Sequence, residues 1–125
     1  MVFNKDAVID LKASAVKVLE AILGNEKLSD IHKAFNSLNE MWDSPGNMLF
    51  RRIYGHASIS MPGDQHLKNW ESVLVGMNTA KGIIDIAEYG YGKHCLLANM
   101  TGFYTGLSVM ESAHIDDINE FYADK

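Results

Sequence analysis

The sequence predicts an all-α fold, a bundle of four main helices with one or two short extra helices. Apolar residues recur at spacings of three and four in four long segments, which is the period of an amphipathic helix. The chain contains only two prolines among its 125 residues, so few positions would interrupt a helix. Because each predicted helix is apolar on one side only, the four must pack against one another.

The first two predicted helices cover residues 5–23 and 27–42. The apolar stripe of the first consists of Val8, Leu11, Ala15, Val18 and Ile22. The stripe of the second consists of Leu28, Ile31, Phe35, Leu38 and Trp42. Gly24 and Asn25 between them are typical of a helix end. Because the loop is short, we predict that these two helices are antiparallel neighbours.

The next two main helices are predicted to run from Asp64 to about residue 89 and from about Lys93 to Met110, with Gly90-Tyr91-Gly92 as a hinge. The stripe of the first consists of Leu67, Trp70, Leu74, Met77, Ile84 and Ala87. The stripe of the second consists of Leu96, Met100, Phe103, Leu107 and Met110.

Four glycines lie inside these two predicted helices, at positions 76, 82, 102 and 106. Each costs roughly 0.5–1 kcal/mol relative to alanine. We interpret them as sites of close helix–helix packing, where a missing Cβ lets two backbones approach. The alternative is that a ligand or a partner chain approaches the backbone at these positions.

The remaining segments are less regular. Asp43-Ser44-Pro45-Gly46 predicts a turn. Residues 48–54 fit a short helix, whereas residues 56–61 alternate polar and apolar side chains and are interpreted as an extended connector. Residues 114–122 predict a short C-terminal helix.

Length and composition favour one domain spanning residues 1–125. The single cysteine, Cys95, excludes an internal disulfide framework and indicates a reducing compartment. The first residues lack the apolar core of a secretory signal, and no apolar run is long enough to span a bilayer. A soluble cytoplasmic protein with no membrane partner is expected.

The acidic charge is concentrated at the C-terminus. The formal net charge is −5, and residues 111–125 carry one base and the following acids: Glu111, Asp116, Asp117, Glu120 and Asp124. Such a surface repels phosphates, so nucleic acid is not expected to bind. It favours a basic protein partner.

No motif for catalysis, cofactor binding or metal binding stands out. Glu111 and His114 match the Glu-x-x-His spacing of di-iron bundles, but those sites need a second copy and further glutamates. Gly90-x-Gly92 lacks the third glycine and the preceding strand of a dinucleotide loop. We therefore predict a protein that is not an enzyme and holds neither metal nor cofactor.

The candidate partner-binding residues fall into two groups. The first group comprises Tyr89 and Tyr91 of the predicted hinge, because tyrosines are enriched in interface hot spots. The second group comprises Glu111, Asp116, Asp117, Glu120 and Tyr122 of the acidic segment. A surface that mixes aromatic rings with carboxylates suits the basic cleft of another protein.

In size, in acidity and in the absence of catalytic motifs, the chain resembles immunity proteins, which neutralise nuclease-type toxins of bacteria. The likeness is one of class and involves no matching motif. It implies an inhibitor that covers the active site of a cognate basic toxin domain.

Two alternatives stay open. The first is a helical ligand sensor or enzyme whose pocket, between the two glycine-containing helices, is lined by Trp70, Met77, Met100 and Tyr104. The second is a homodimeric regulatory module, phage-related in one version, whose mid-helix glycines pack across a two-fold axis.

Overall fold

The structure is a computed structural model that describes residues 5–60, 65–86, 90–111, 116, 117, 119 and 120. Its α-helices are α1 (Asp6–Leu23), α2 (Leu28–Trp42), α3 (Pro45–Ser60), α4 (Gln65–Ile83) and α5 (Gly90–Val109). A short 3₁₀ helix, Ile84–Ile86, follows α4. The predicted all-α bundle is confirmed. Within the described residues, no helix combines the length and the apolar character that a bilayer crossing requires.

Helix α5 packs most extensively against α4 and also packs against α1. Helix α2 packs on α1, and α3 packs mainly on α4. The α1–α2 connection turns at Asn25, whose φ of 53° places it in the left-handed region, next to Gly24 as the sequence predicts.

Most residues of the predicted apolar stripes form the core, whereas Leu28, Leu67 and Leu74 are half-buried and Ala87 lies outside the described residues. All stripe residues of α1 are buried. The stripe of the last predicted main helix is fully shielded from solvent and comprises Leu96, Met100, Phe103, Leu107 and Met110. Tightly packed rings join the helices: Trp42 of α2 lies 5.5 Å from Phe103 and 6.5 Å from Trp70 of α4, between ring centroids. Burial of these large side chains is the main force holding the bundle together.

The short helix predicted over residues 48–54 is confirmed, whereas the extended connector predicted over residues 56–61 is wrong for its described part, residues 56–60. The predicted short helix and extended connector are one continuous helix, α3, which begins at Pro45 and ends at Ser60. Phe50, Tyr54 and Ala57 are buried at spacings of four and three. The Phe50 and Tyr54 rings lie 6.4 Å and 5.1 Å from the Trp70 ring, and this packing favours the helix over an extended chain.

The predicted hinge is also corrected. Gly90, Tyr91 and Gly92 form the first turn of α5, which begins about three residues earlier than predicted. Glycine adopts helical and turn conformations with similar ease. The presence of two glycines therefore does not distinguish a hinge from the first turn of a helix. Residues 87–89 lie outside the described residues.

Close helix packing accounts for two of the four mid-helix glycines. A Cβ on Gly76 of α4 would lie 2.7 Å from the backbone oxygen of Asn99 in α5, and Gly106 is similarly crowded by α4. By contrast, a Cβ on Gly82 or Gly102 would meet no heavy atom within 4 Å. The packing interpretation is therefore confirmed for Gly76 and Gly106 and wrong for the other two.

Candidate protein-binding site

The acidic segment begins with an internal ion pair. Past the end of α5, Met110 and Glu111 adopt a π-helical conformation, and Lys12 Nζ of α1 donates a 2.7 Å hydrogen bond to Glu111 Oε2. The same ammonium lies 5.2 Å from the centroid of the Tyr104 ring. The Lys12 and Glu111 side chains are only 22% and 28% exposed. Glu111 therefore connects α5 to α1 and is largely occupied within the molecule.

The carboxylates further along the segment are exposed. Asp116, Asp117 and Glu120 all face solvent, and their backbone is helical. The imidazole of His66 lies close to Asp117, with 3.9 Å between Nε2 and Oδ2, and this pair is ionic only when His66 is protonated. Among the described residues, no cation lies within ion-pair distance of Asp116 or Glu120. These carboxylates are accessible to a partner.

The spacing of Asp116 and Glu120 brings two like charges together in the isolated protein. Asp116 and Glu120 are four residues apart, which at helical spacing places them on the same face. Two like charges in that relation destabilise a helix by roughly 0.2–0.5 kcal/mol. A positively charged partner would relieve this repulsion, whereas in the free protein the two carboxylates continue to repel each other.

The tyrosines of the predicted site are not brought to the acids. Tyr89 and Tyr122 lie outside the described residues. Tyr91 stands in the first turn of α5, and nothing is described of its side chain. Glu111 follows the opposite end of α5, about 30 Å away at 1.5 Å per residue. Tyr91 and the acidic segment therefore cannot form one small patch.

Among the described residues, no three His, Cys, Asp or Glu side chains are grouped so that they could hold a metal ion. Cys95 is a half-buried free thiol, and the neighbouring His94 is exposed.

The predicted pocket between the glycine-containing helices has a different lining. Met77 and Met100 are fully buried core residues, and Trp70 is 6% exposed. An open groove of about 470 Å³ does run between α4 and α5. Its walls comprise Lys68, Glu71, Ser72, Val75, Gly76, Ala98, Asn99 and Gly102. The predicted lining of Trp70, Met77, Met100 and Tyr104 is therefore wrong.

A second surface, on α3, was missed by the sequence prediction. Met48, Leu49, Arg52 and Ile59 of this helix are exposed and lie outside its buried stripe of Phe50, Tyr54 and Ala57. Their spacing of three, four and seven is itself helical, and it would have indicated this face had residues 45–60 been interpreted as one helix.

Comparison of the chain with protein-family models, with curated proteins and with solved structures gave no match.

Proposed function

We propose that the chain is a small protein-binding inhibitor without enzymatic activity, which neutralises a basic partner in the manner of an immunity protein. The partner is a bacterial nuclease-type toxin domain, met in the cytoplasm, whose active site the inhibitor covers. The observation that carries this proposal is the exposure of Asp116, Asp117 and Glu120 beyond an acid, Glu111, that is held internally by Lys12.

The chemistry of the partner follows from these charges. A nuclease cleft is lined with positive charge because it binds phosphates, so exposed carboxylates can occupy the same positions as the phosphate groups of the substrate. Opposite charges on two approaching surfaces raise the association rate, and they penalise partners of the wrong sign.

The two kinds of acid have separate roles in this proposal. Glu111 fixes the end of α5 against α1 through Lys12, and the following carboxylates present the charge to the partner. Tyr122 is proposed as an aromatic contact beside them, since tyrosine adds apolar area to a charged interface. Tyr89 and Tyr91 are proposed to contact a more distant part of the same partner.

The test pairs the chain with a basic nuclease domain, for which the product of an adjacent gene is the first candidate. The two chains are mixed, and the mass of the product is measured by light scattering at about 150 mM salt, where the Debye length is about 8 Å. Inhibition of nuclease activity is measured on the same mixtures. The decisive variant carries Asp116→Lys, Asp117→Lys and Glu120→Lys together.

A matched control reverses three exposed acids elsewhere, with Glu20→Lys, Glu26→Lys and Asp30→Lys. These positions lie near the α1–α2 loop, where Lys93 Nζ donates a 3.1 Å hydrogen bond to Asn25 Oδ1. This contact places the loop by the N-terminal end of α5, about 30 Å from the acidic segment.

We expect a 1:1 complex that inhibits the nuclease. The first variant should associate at least about tenfold more slowly, and the control should associate at nearly the normal rate. Equal rates for the two variants, or no complex with the basic protein, would overturn the proposal.

A further inference from the structure

Helix α3 exposes an unusual amount of apolar surface. Met48, Leu49 and Ile59 are 50%, 53% and 76% exposed, and they supply three of the seven exposed large apolar side chains among the described residues. Single exposed apolar residues are ordinary, whereas a set on one helix face is typical of an interaction surface.

The same helix forms one wall of a groove. The groove measures about 290 Å³ and is lined by Met48, Arg51 and Arg52 of α3 and by Trp70 and Leu74 of α4. Trp70 is 6% exposed, so most of its surface is already covered by the core. An apolar side chain entering the groove would lie against Trp70 and Leu74, beside the two arginines that line it.

The two arginines that line this groove differ in what they contact. The guanidinium carbon of Arg51 lies 4.2 Å from the centroid of the Trp42 ring, and Nη1 lies 3.5 Å from Asp43 Oδ1. Asp43 is shared with Lys81, whose Nζ is 3.7 Å from Oδ2. Arg52 is exposed, and no carboxylate of the described residues lies within ion-pair distance of it.

The charge of this face selects the partner. The sequence of α3 contains two arginines and no acidic residue, although the chain as a whole carries a net charge of −5. We infer that the α3 face and the α3–α4 groove form a second docking surface, for an apolar segment of a partner protein whose apolar side chains are flanked by carboxylates. The acidic flank pairs with Arg52, and the apolar side chains cover Met48, Leu49 and Ile59.

A second copy of the chain fits this face poorly. Arg52 stands at the middle of α3, so a two-fold contact between two α3 helices would place the two Arg52 guanidiniums together. Nucleic acid fits poorly as well, because its phosphates would leave the three apolar side chains without a contact.

The test measures binding of fluorescent peptides of about five helical turns. One peptide carries a leucine stripe flanked by glutamates, a second replaces the glutamates by lysines, and a third scrambles the leucine–glutamate sequence. Peptide anisotropy gives the affinity, and amide shifts in NMR spectra of the protein locate the site. Phosphatidylserine vesicles test a negatively charged lipid surface as the competing occupant.

We expect the leucine–glutamate peptide to bind most tightly, with shifts concentrated at residues 48–59 and 70–74. Arg52→Glu should weaken binding at least about tenfold, because it replaces attraction by repulsion. The control Lys17→Glu makes the same change of charge at an exposed position on α1 and should alter the affinity less than about twofold.

Several outcomes would overturn the inference: equal binding of the three peptides, no binding of the leucine–glutamate peptide, equal effects of Arg52→Glu and Lys17→Glu, or binding of vesicles but not of peptide. None of these concerns the carboxylates at positions 116, 117 and 120. The outcome is therefore separate from that of the inhibitor proposal.

Discussion

Gly106 of α5 lies so close to Val73 of α4 that a Cβ at position 106 would stand 2.6 Å from Val73 Cγ2. At Gly76 the obstacle is backbone, since a Cβ there would be 2.7 Å from Asn99 O. We therefore expect Gly76→Ala and Gly106→Ala each to lower the free energy of unfolding by about 1–3 kcal/mol, the usual effect of overpacking a core. Urea denaturation followed by circular dichroism measures this.

The matched controls are the two glycines with open space around them, Gly82 and Gly102. At these helical positions alanine restricts the unfolded chain without a clash, so Gly82→Ala and Gly102→Ala should raise the free energy of unfolding by about 0.4–1 kcal/mol. If all four alanine variants shifted the denaturation midpoint in the same direction, the close approach of α4 and α5 would be wrong.

The Lys12–Glu111 pair is expected to stabilise the fold modestly. Its atoms are 2.7 Å apart, but both side chains keep some contact with solvent. A double-mutant cycle with Lys12→Met and Glu111→Gln should give a coupling free energy of about 0.2–1 kcal/mol, and the coupling should decrease at high salt. Glu111→Gln should leave partner association unchanged. A loss of binding without a loss of stability would instead place Glu111 in the interface.

The two adjacent arginines of α3 should behave differently. Arg51→Ala removes the contact with the Trp42 ring and the ion pair with Asp43. We therefore expect the free energy of unfolding to fall by about 0.5–1 kcal/mol and the tryptophan fluorescence to change. Arg52→Ala, at an exposed position, should change stability by less than about 0.5 kcal/mol. Thermal denaturation of the two variants distinguishes them. Equal destabilisation would mean that Arg52 also supports the fold.

The sequence predicted well the helices α1 and α5, whose apolar stripes are buried at every position. In α5 the spacing of Leu96, Met100 and Phe103 alone defines the buried face. In α3 the same reasoning failed because Ala57 is buried whereas Ile59, two residues later, is 76% exposed. Because Ala57 and Ile59 are two positions apart, the sequence shows the alternation of polar and apolar side chains that is typical of an extended chain. A pattern of polarity shows which side chains are apolar, but it does not show which of them the fold leaves uncovered.

The candidate site shows the same limit. Clustering of acids at the C-terminus could be read directly from the sequence, and Asp116, Asp117 and Glu120 are indeed exposed. The distinct role of Glu111 could not be predicted, because its partner Lys12 is 99 residues away in the chain and meets it only through the packing of α1 on α5.

The continuity of α3 can be tested with proline at His56, an exposed position in the part of the chain that was expected to be an extended connector. In a helix interior, proline removes a backbone hydrogen bond and clashes with the preceding turn, which costs about 3 kcal/mol or more. We therefore expect His56→Pro to lower the melting temperature strongly and to reduce the helical signal in circular dichroism. His56→Ala controls for loss of the side chain, and we expect it to lower the melting temperature much less than His56→Pro does, because alanine favours a helix. If both variants melted at the same temperature, residues 56–60 would be an extended segment, and the exposed face that includes Ile59 would not exist as a helical surface.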